Sequence, residues 1–298
     1  MMQRIGIVGL GNMGGRIARR IAAAGHEVIG HDVDPGRADA VGIPPAPSLG
    51  ALVDAADIVL LSLPDSTVIE PVVLGEGGIL EHGRSGQIVV DLSTAAPAST
   101  VELHAKLGAK GVELVDAGVS GGAAGAEKGT LSIMAGGTES VVRDLEWLLE
   151  TFSARVYYMG PSGAGHTTKL LNNFLNGVSL AATAEVMVAG RKAGLDLETL
   201  LDVLNHSTGV NFATRERFPH IIEGDYLEGG LTGKLMMKDV ILYVDLVRSL
   251  GVPSLNAGGC LATFGLGNEL GYGDQISNRV VDALGDVAGG VRLQKEAP

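Results

Sequence analysis

Lys169, Asn173 and Asn176 fall at i, i+4 and i+7 of one long helical stretch and so share a face, with Asn172 beside them. On an otherwise apolar helix such groups are costly to bury without partners. Two readings stand open for the asparagines: amides of a solvated first turn bonded to nearby backbone, or amides that orient a substrate. For Lys169 the chemical reading is stronger. A carbonyl that accepts a hydride becomes an alkoxide, which needs a proton and a nearby positive charge. A part-buried lysine supplies both, because desolvation lowers its pKa toward the working range. His166, about one turn earlier, is the rival acid–base group. At the helix entry it is expected to be solvated or capping, so Lys169 is preferred.

A second cluster is Asp116-Ala-Gly-Val-Ser-Gly-Gly122, read as a loop after a strand Glu113–Asp116. Its small residues expose backbone N–H groups, which with the Ser120 hydroxyl suit a carboxylate. A flexible glycine loop reads the same way. Lys238–Asp239 is either an ordinary surface ion pair or part of the site.

The third cluster is the first 34 residues. A strand (Arg4–Val8) leads into Gly9, Gly11 and Gly14, then a helix, then a strand closing on Asp32. Gly9 allows the turn, Gly11 keeps no side chain in the way of a pyrophosphate, and Gly14 permits close packing of helix on sheet. The helix start offers free N–H groups to phosphates. Asp32 follows Gly14 by 18 residues, near the spacing that reaches the adenosine ribose. A carboxylate there accepts from a ribose diol and repels a 2′-phosphate, which favours NAD over NADP. His31 and Arg37 are the features that speak for NADP.

The elements that must position these groups alternate from Arg4 to about Gly160: strands at Ile5–Val8, Glu27–His31, Ile58–Ser62, Gln87–Asp91, Glu113–Asp116, Leu131–Ala135 and Arg155–Met159, with helices at Met13–Ala24, Leu49–Ala55, Pro97–Leu107 and Glu139–Phe152. This pattern predicts an α/β Rossmann-type domain over 1–162, a doubly wound, mostly parallel sheet with ligands beyond its carboxyl ends. No strand pattern recurs afterwards, so 163–298 is expected to be an all-α domain. Its helices are a buried interdomain one at about 166–193, then Leu197–Asn205, Phe212–Glu223, Gly233–Leu250, Ser254–Leu270 and Ile276–Val287. Val291–Pro298 reads as a loose tail.

The whole chain, 298 residues with net charge −12, has ample length for a core and argues against nucleic acid or an anionic membrane as a partner. One cysteine, Cys260, excludes an intrachain disulfide, and no Cys/His cluster has metal spacing, so no metal is expected. No signal-peptide core is evident at the start, and the longest uncharged run, Gly251–Asn268, is interrupted by Pro253 and several glycines. A cytoplasmic protein is expected.

With these residues in view, the chain resembles the β-hydroxyacid dehydrogenase family, which includes 3-hydroxyisobutyrate dehydrogenase and tartronate semialdehyde reductase. The resemblance runs nearly end to end and rests on Gly9-Leu-Gly-Asn-Met-Gly14, Asp116–Gly122, Gly163-Ala-Gly-His-Thr-Thr-Lys169-Leu-Leu-Asn-Asn173 and Lys238–Asp239. It implies interconversion of a small 3-hydroxy acid and its semialdehyde with NAD, or less favourably NADP. Lys169 would be the general acid/base, Asn173 a substrate-orienting partner, and Ser120, Gly121 and Gly122 the carboxylate cradle. Lys238 would lie near substrate and nicotinamide. Gly9, Leu10, Gly11, Asn12, Met13, Gly14, Asp32, Leu63, Pro64, Ser93 and Thr94 would touch the cofactor, and a homodimer or homotetramer would form through the helical domain. Gly118 stands where the family usually has proline, and Ser207–Asn211 lies near where members differ in substrate choice. The competing readings are an imine reductase, against which Lys169 argues, and a dinucleotide-binding module without turnover.

Overall fold

A computed structural model describes residues 3–294, and the chain divides into two compact units, Met1–Lys169 and Leu170–Pro298. The first is built on a seven-stranded sheet: β1 (Ile5–Val8), β2 (Val28–His31), β3 (Ile58–Leu61), β4 (Ile88–Asp91), β5 (Glu113–Ser120), β6 (Leu131–Gly136) and β7 (Ser153–Gly160), in the order β2-β1-β3-β4-β5-β6-β7. All neighbours are parallel except β5 and β6. Successive strand residues point to opposite faces. Ile58 and Leu60 join one buried cluster and Val59 and Leu61 the other. A sheet covered on both faces is the reason its strands read as unbroken apolar runs. The order reverses between β1 and β3, and at such a switch point the carboxyl ends of the strands open a crevice.

The labelled helices of this unit are α1 (Gly14–Ala23), α2 (Pro97–Gly108) and α3 (Gly122–Lys128). The segment expected as a single helix over 139–152 is two short ones, Glu139–Asp144 and Glu146–Leu149. A larger departure concerns β5, which runs to Ser120 rather than stopping at Asp116. Its extension is held by antiparallel pairing with β6, from Asp116↔Gly136 to Ser120↔Ser132. The expected loop is therefore a strand that passes through Gly121 directly into α3.

A long helix, α4 (Ala164–Lys192), starts in the first unit and continues into the second. The second unit is helical, with α5 (Gly233–Ser249) and, among the described residues, six shorter segments, and its core gathers Leu180, Met187, Phe218, Met236 and Phe264. The stretch expected over 212–223 is a π-helical turn, Ala213–Arg217, running into Phe218–Ile221. The middle of α4, Phe174 to Ala189, is not buried all round: Leu175 is 65% and Val186 44% exposed, as is Leu171 just before it at 44%. Val291–Gln294 is not loose either, since Leu293 is buried and the Val291 N–H donates to Gly285. Residues 295–298 of the expected tail lie outside the described residues. No helix of the described residues is long and apolar enough to cross a membrane.

Candidate active site

The glycine turn sits at the carboxyl end of β1, and each glycine has a distinct physical reason. Gly9 has φ +90°, and a Cβ there would come 2.3 Å from the Ser62 carbonyl oxygen, at the end of β3. A Cβ on Gly14 would lie 1.9 Å from the Gly9 oxygen, so α1 can start this close only with glycine. Around Gly11 no atom falls within 4 Å of the Cβ position. Its lack of a side chain is not demanded by this chain's own packing, and it leaves the open cradle that a pyrophosphate requires. The donor set thus fits a dinucleotide.

Asp32 holds this turn together. Its Oδ2 accepts from the Leu10 N–H at 2.7 Å and its Oδ1 from the Asp34 N–H at 3.0 Å. Arg37 faces Asp34, Nε to Oδ2 3.4 Å. Asn12 is engaged by Arg16, whose Nη1 donates to the Asn12 carbonyl at 2.7 Å, and Met13 packs against the sheet core. The next two loops are tied to each other: the Leu63 N–H donates to Ser93 Oγ at 3.0 Å, and the Ser93 N–H to Asp91 Oδ1 at 3.0 Å. Pro64 and Thr94 follow in those same loops.

β5 carries a further set of polar and small residues of the first unit. Asp116, Gly118 and Ser120 alternate along it and therefore share one face. Asp116 is fully buried and caps α4: its Oδ1 accepts from the Gly163 N–H and its Oδ2 from the His166 N–H, each at 2.8 Å. Ser162, the residue type that commonly caps a helix, leaves its Oγ without a hydrogen-bond partner. Gly165 and Gly118 let the helix lie directly on the sheet. A Cβ on Gly165 would meet the Asp116 and Met134 oxygens at 2.4 Å, and one on Gly118 would meet the Lys169 Cβ at 2.7 Å. Gly118 thus seats the part-buried Lys169 two residues before Ser120. Beyond Ser120, Gly121 and Gly122 both have positive φ (+124° and +61°) and are exposed.

His166 is not solvated. It is fully buried, with Nδ1 2.8 Å from Thr100 Oγ1 on α2 and Nε2 3.9 Å from Asp91 Oδ2. An imidazole enclosed this way is a structural tie between helix and sheet.

In the second unit, Asn173 is buried and its Nδ2 donates to Asp239 Oδ2 at 2.5 Å. Lys238 Nζ lies 3.0 Å from Asp239 Oδ1. Asp239 is only 1% exposed, so this is no surface ion pair. Asn172 donates to Asn173 at 3.2 Å, and Asn176 accepts from Arg217 Nη2 at 2.9 Å. The asparagines of α4 are thus satisfied by side chains, not by nearby backbone.

Sequence reasoning missed the capping role of Asp116, the burial of His166 and the presence of Arg217. For Asp116 a signal existed, since it stands inside the motif already singled out. Arg217 offered none, being one of three charges in a row.

Residues 4–160 match the model of the NAD binding domain of 6-phosphogluconate dehydrogenase, and residues 163–284 that of the NAD-binding region of NADP-dependent 3-hydroxyisobutyrate dehydrogenase. The 2-(hydroxymethyl)glutarate dehydrogenase of Eubacterium barkeri is 32% identical over 96% of this chain and 96% of its own. The 3-hydroxyisobutyrate dehydrogenase of Pseudomonas aeruginosa is 34% identical over 80% of this chain and 83% of its own. A solved 3-hydroxyisobutyrate dehydrogenase of Mycobacterium tuberculosis with L-serine superposes with a TM-score of 0.83 at 29% identity, covering 95% of this chain and 99% of that one.

Proposed function

We propose how this chain works from the fact that it belongs to the β-hydroxyacid dehydrogenase family, whose members are NAD(P)-dependent oxidoreductases of small hydroxy acids. The reaction interconverts a 3-hydroxy acid and its semialdehyde. A bound nicotinamide supplies the hydride acceptor or donor, and the chain's own groups do the rest. Lys169 takes the proton from the substrate hydroxyl in oxidation and returns it in reduction. Asn173, fixed by Asp239, orients that hydroxyl, and Lys238 contributes positive charge near it. Ser120 Oγ with the N–H groups of Gly121 and Gly122 holds the carboxylate. Gly9–Gly14, Leu63, Pro64, Ser93 and Thr94 bind the dinucleotide, and Asp32 receives the ribose diol. NAD is preferred because a carboxylate at position 32 repels a 2′-phosphate and the nearest arginine, Arg37, is already engaged by Asp34.

The observation that carries this reading is the single face of β5 that seats Lys169 at Gly118 and ends in Ser120. Residues 1–162 serve as the cofactor domain and 163–298 as the substrate and oligomerisation domain of a cytoplasmic homodimer or homotetramer. The exposed apolar residues Leu171, Leu175 and Val186 of α4 support self-association.

The test is Lys169→Ala, assayed with NAD and a panel of small 3-hydroxy acids. Acid–base groups contribute about 10²–10⁴ in rate, so kcat should fall at least about 10²-fold while NADH still binds by fluorescence titration. Near-normal turnover of Lys169→Ala removes the lysine from its role.

A further inference from the structure

Among the described residues no carboxylate answers the charge of Arg217. Its Nη1 donates to Asn278 Oδ1 at 2.8 Å and its Nη2 to Asn176 Oδ1 at 2.9 Å, and both acceptors are neutral amides. Its guanidinium carbon stands 5.7 Å from the Phe212 ring centre. Burial alone, with no carboxylate of the described residues acting on it, pushes its pKa down to about 10. Arg279, in the same unit, shows the ordinary solution, with Asp282 at 3.1 Å and Glu228 at 3.4 Å. A desolvated cation held only by amides is stable at a cost that an anion would remove.

The two amides also fix where that cation points. Asn278 is itself buried and anchored, its Nδ2 donating to the Tyr226 carbonyl at 2.8 Å. Asn176 lies three residues after Asn173 on α4, hence on the same helical face. Two of the five guanidinium N–H donors are used by the amides, which leaves donors for a planar, bidentate acceptor. One guanidinium, with no second cation of the described residues acting on it, balances one carboxylate rather than a doubly charged phosphate.

We propose that Arg217 is the receptor for a second carboxylate on the substrate, so that the preferred substrate is a 3-hydroxy acid with a distal carboxylate. The proposal rests on the assignment of Asn173 to the reacting hydroxyl, one turn along the same face.

The full-length protein is assayed with NAD on 2-(hydroxymethyl)glutarate, which has two carboxylates, and on 3-hydroxyisobutyrate, which has one. Wild type should favour the diacid in kcat/KM. Arg217→Gln should cut the diacid-to-monoacid ratio about 10- to 100-fold, the range of a lost charge-assisted hydrogen bond. The loss should fall mainly in KM. Arg217→Lys keeps the charge without the fork, so it guards against misfolding and should give a smaller drop. Equal losses on both acids, or a wild-type ratio at or below one, overturn the proposal and leave Arg217 as a tie between helices. Calorimetric titration with glutarate in the presence of NADH reads the site without turnover: binding weakened in both variants supports the anion receptor, and no binding to wild type overturns it. If neither acid is oxidised yet glutarate binds through Arg217, it is the assignment of the reaction that fails.

Discussion

Asp116 is the residue whose replacement should do most damage for its size. It is fully buried, 0% exposed, and its two oxygens take the Gly163 and His166 N–H groups at 2.8 Å each. Hydrogen bonds to a charged group contribute about 1.5–3 kcal/mol each. Asp116→Ala strands both N–H groups and should cost about 3–6 kcal/mol. Asp116→Asn keeps one carbonyl acceptor but turns an NH₂ toward the other N–H, for about 2–4 kcal/mol.

The chain supplies its own probe. Its only tryptophan, Trp147, lies in the first unit with its ring 4.9 Å from that of His26. Urea unfolding followed by Trp147 fluorescence should therefore report that unit. With a slope of roughly 2–3 kcal/mol per molar urea, a loss of about 3 kcal/mol moves the midpoint down by about 1 M. Lys169 begins the turn after the capped one, so a shift of the helix start displaces it, and a misplacement of about 1 Å can cost about 10²-fold in kcat. An Asp116→Asn variant that unfolds at the wild-type midpoint and turns over normally would refute the capping assignment and the seating of Lys169 that depends on it.

Other outcomes follow from individual contacts. Asp32→Ala should weaken NAD by about tenfold or more and NADP by less, measured by titration, since the carboxylate favours only the free ribose diol. Because Asp32 also accepts from the Leu10 N–H, equal losses for both cofactors would assign it to the turn alone. Burial pushes the Cys260 thiol up to about 11, so iodoacetamide at pH 8 should leave the native protein unlabelled, and rapid labelling by mass spectrometry would contradict it. The same shift has a sign for stability. The native state keeps its thiol proton where the unfolded chain, at about 8.5, has lost it, so Cys260 favours unfolding increasingly as pH rises from about 8.5 to 11. Cys260→Ala should flatten the fall of melting temperature over that window.

What the sequence disclosed was the local chemistry. The glycine turn is legible because its three glycines fall within six residues, though the clash that Gly9 avoids is with the remote Ser62. The helices Leu49–Ala55 and Leu197–Asn205 begin and end where their apolar spacing says they should, behind the caps Ser48 and Asp196, which accept from Ala51 and Thr199. Remote partnerships were hidden. His166 is buried by Thr100, 66 residues away, and α4 is capped from 47 residues before Gly163. The helix Ser66–Leu74 escaped notice because Pro71 stands inside it. The middle of α4, apolar by composition, was expected to be buried on all sides. Composition does not say how many sides one fold covers, and one stripe stays exposed.

The misreading of residues 117–120 had the largest consequence, because it hid a relation that spacing alone would otherwise have revealed. As a loop, Asp116, Gly118 and Ser120 are three unrelated small residues. As a strand they are i, i+2 and i+4, and period two makes them one face. The first caps the helix start, the second gives Lys169 its room, and the third stands about 7 Å beyond the second at a strand rise of about 3.3 Å per residue. In Ala-Gly-Val-Ser only Val119 has a strong strand preference. The extension exists because β6 arrives antiparallel and pairs with every residue of it. The placement of Ser120 relative to the Gly118 that seats Lys169 is therefore set by a sheet register, a non-local quantity. Changes that loosen the β5–β6 pairing should lower turnover even where they touch neither Lys169 nor Ser120.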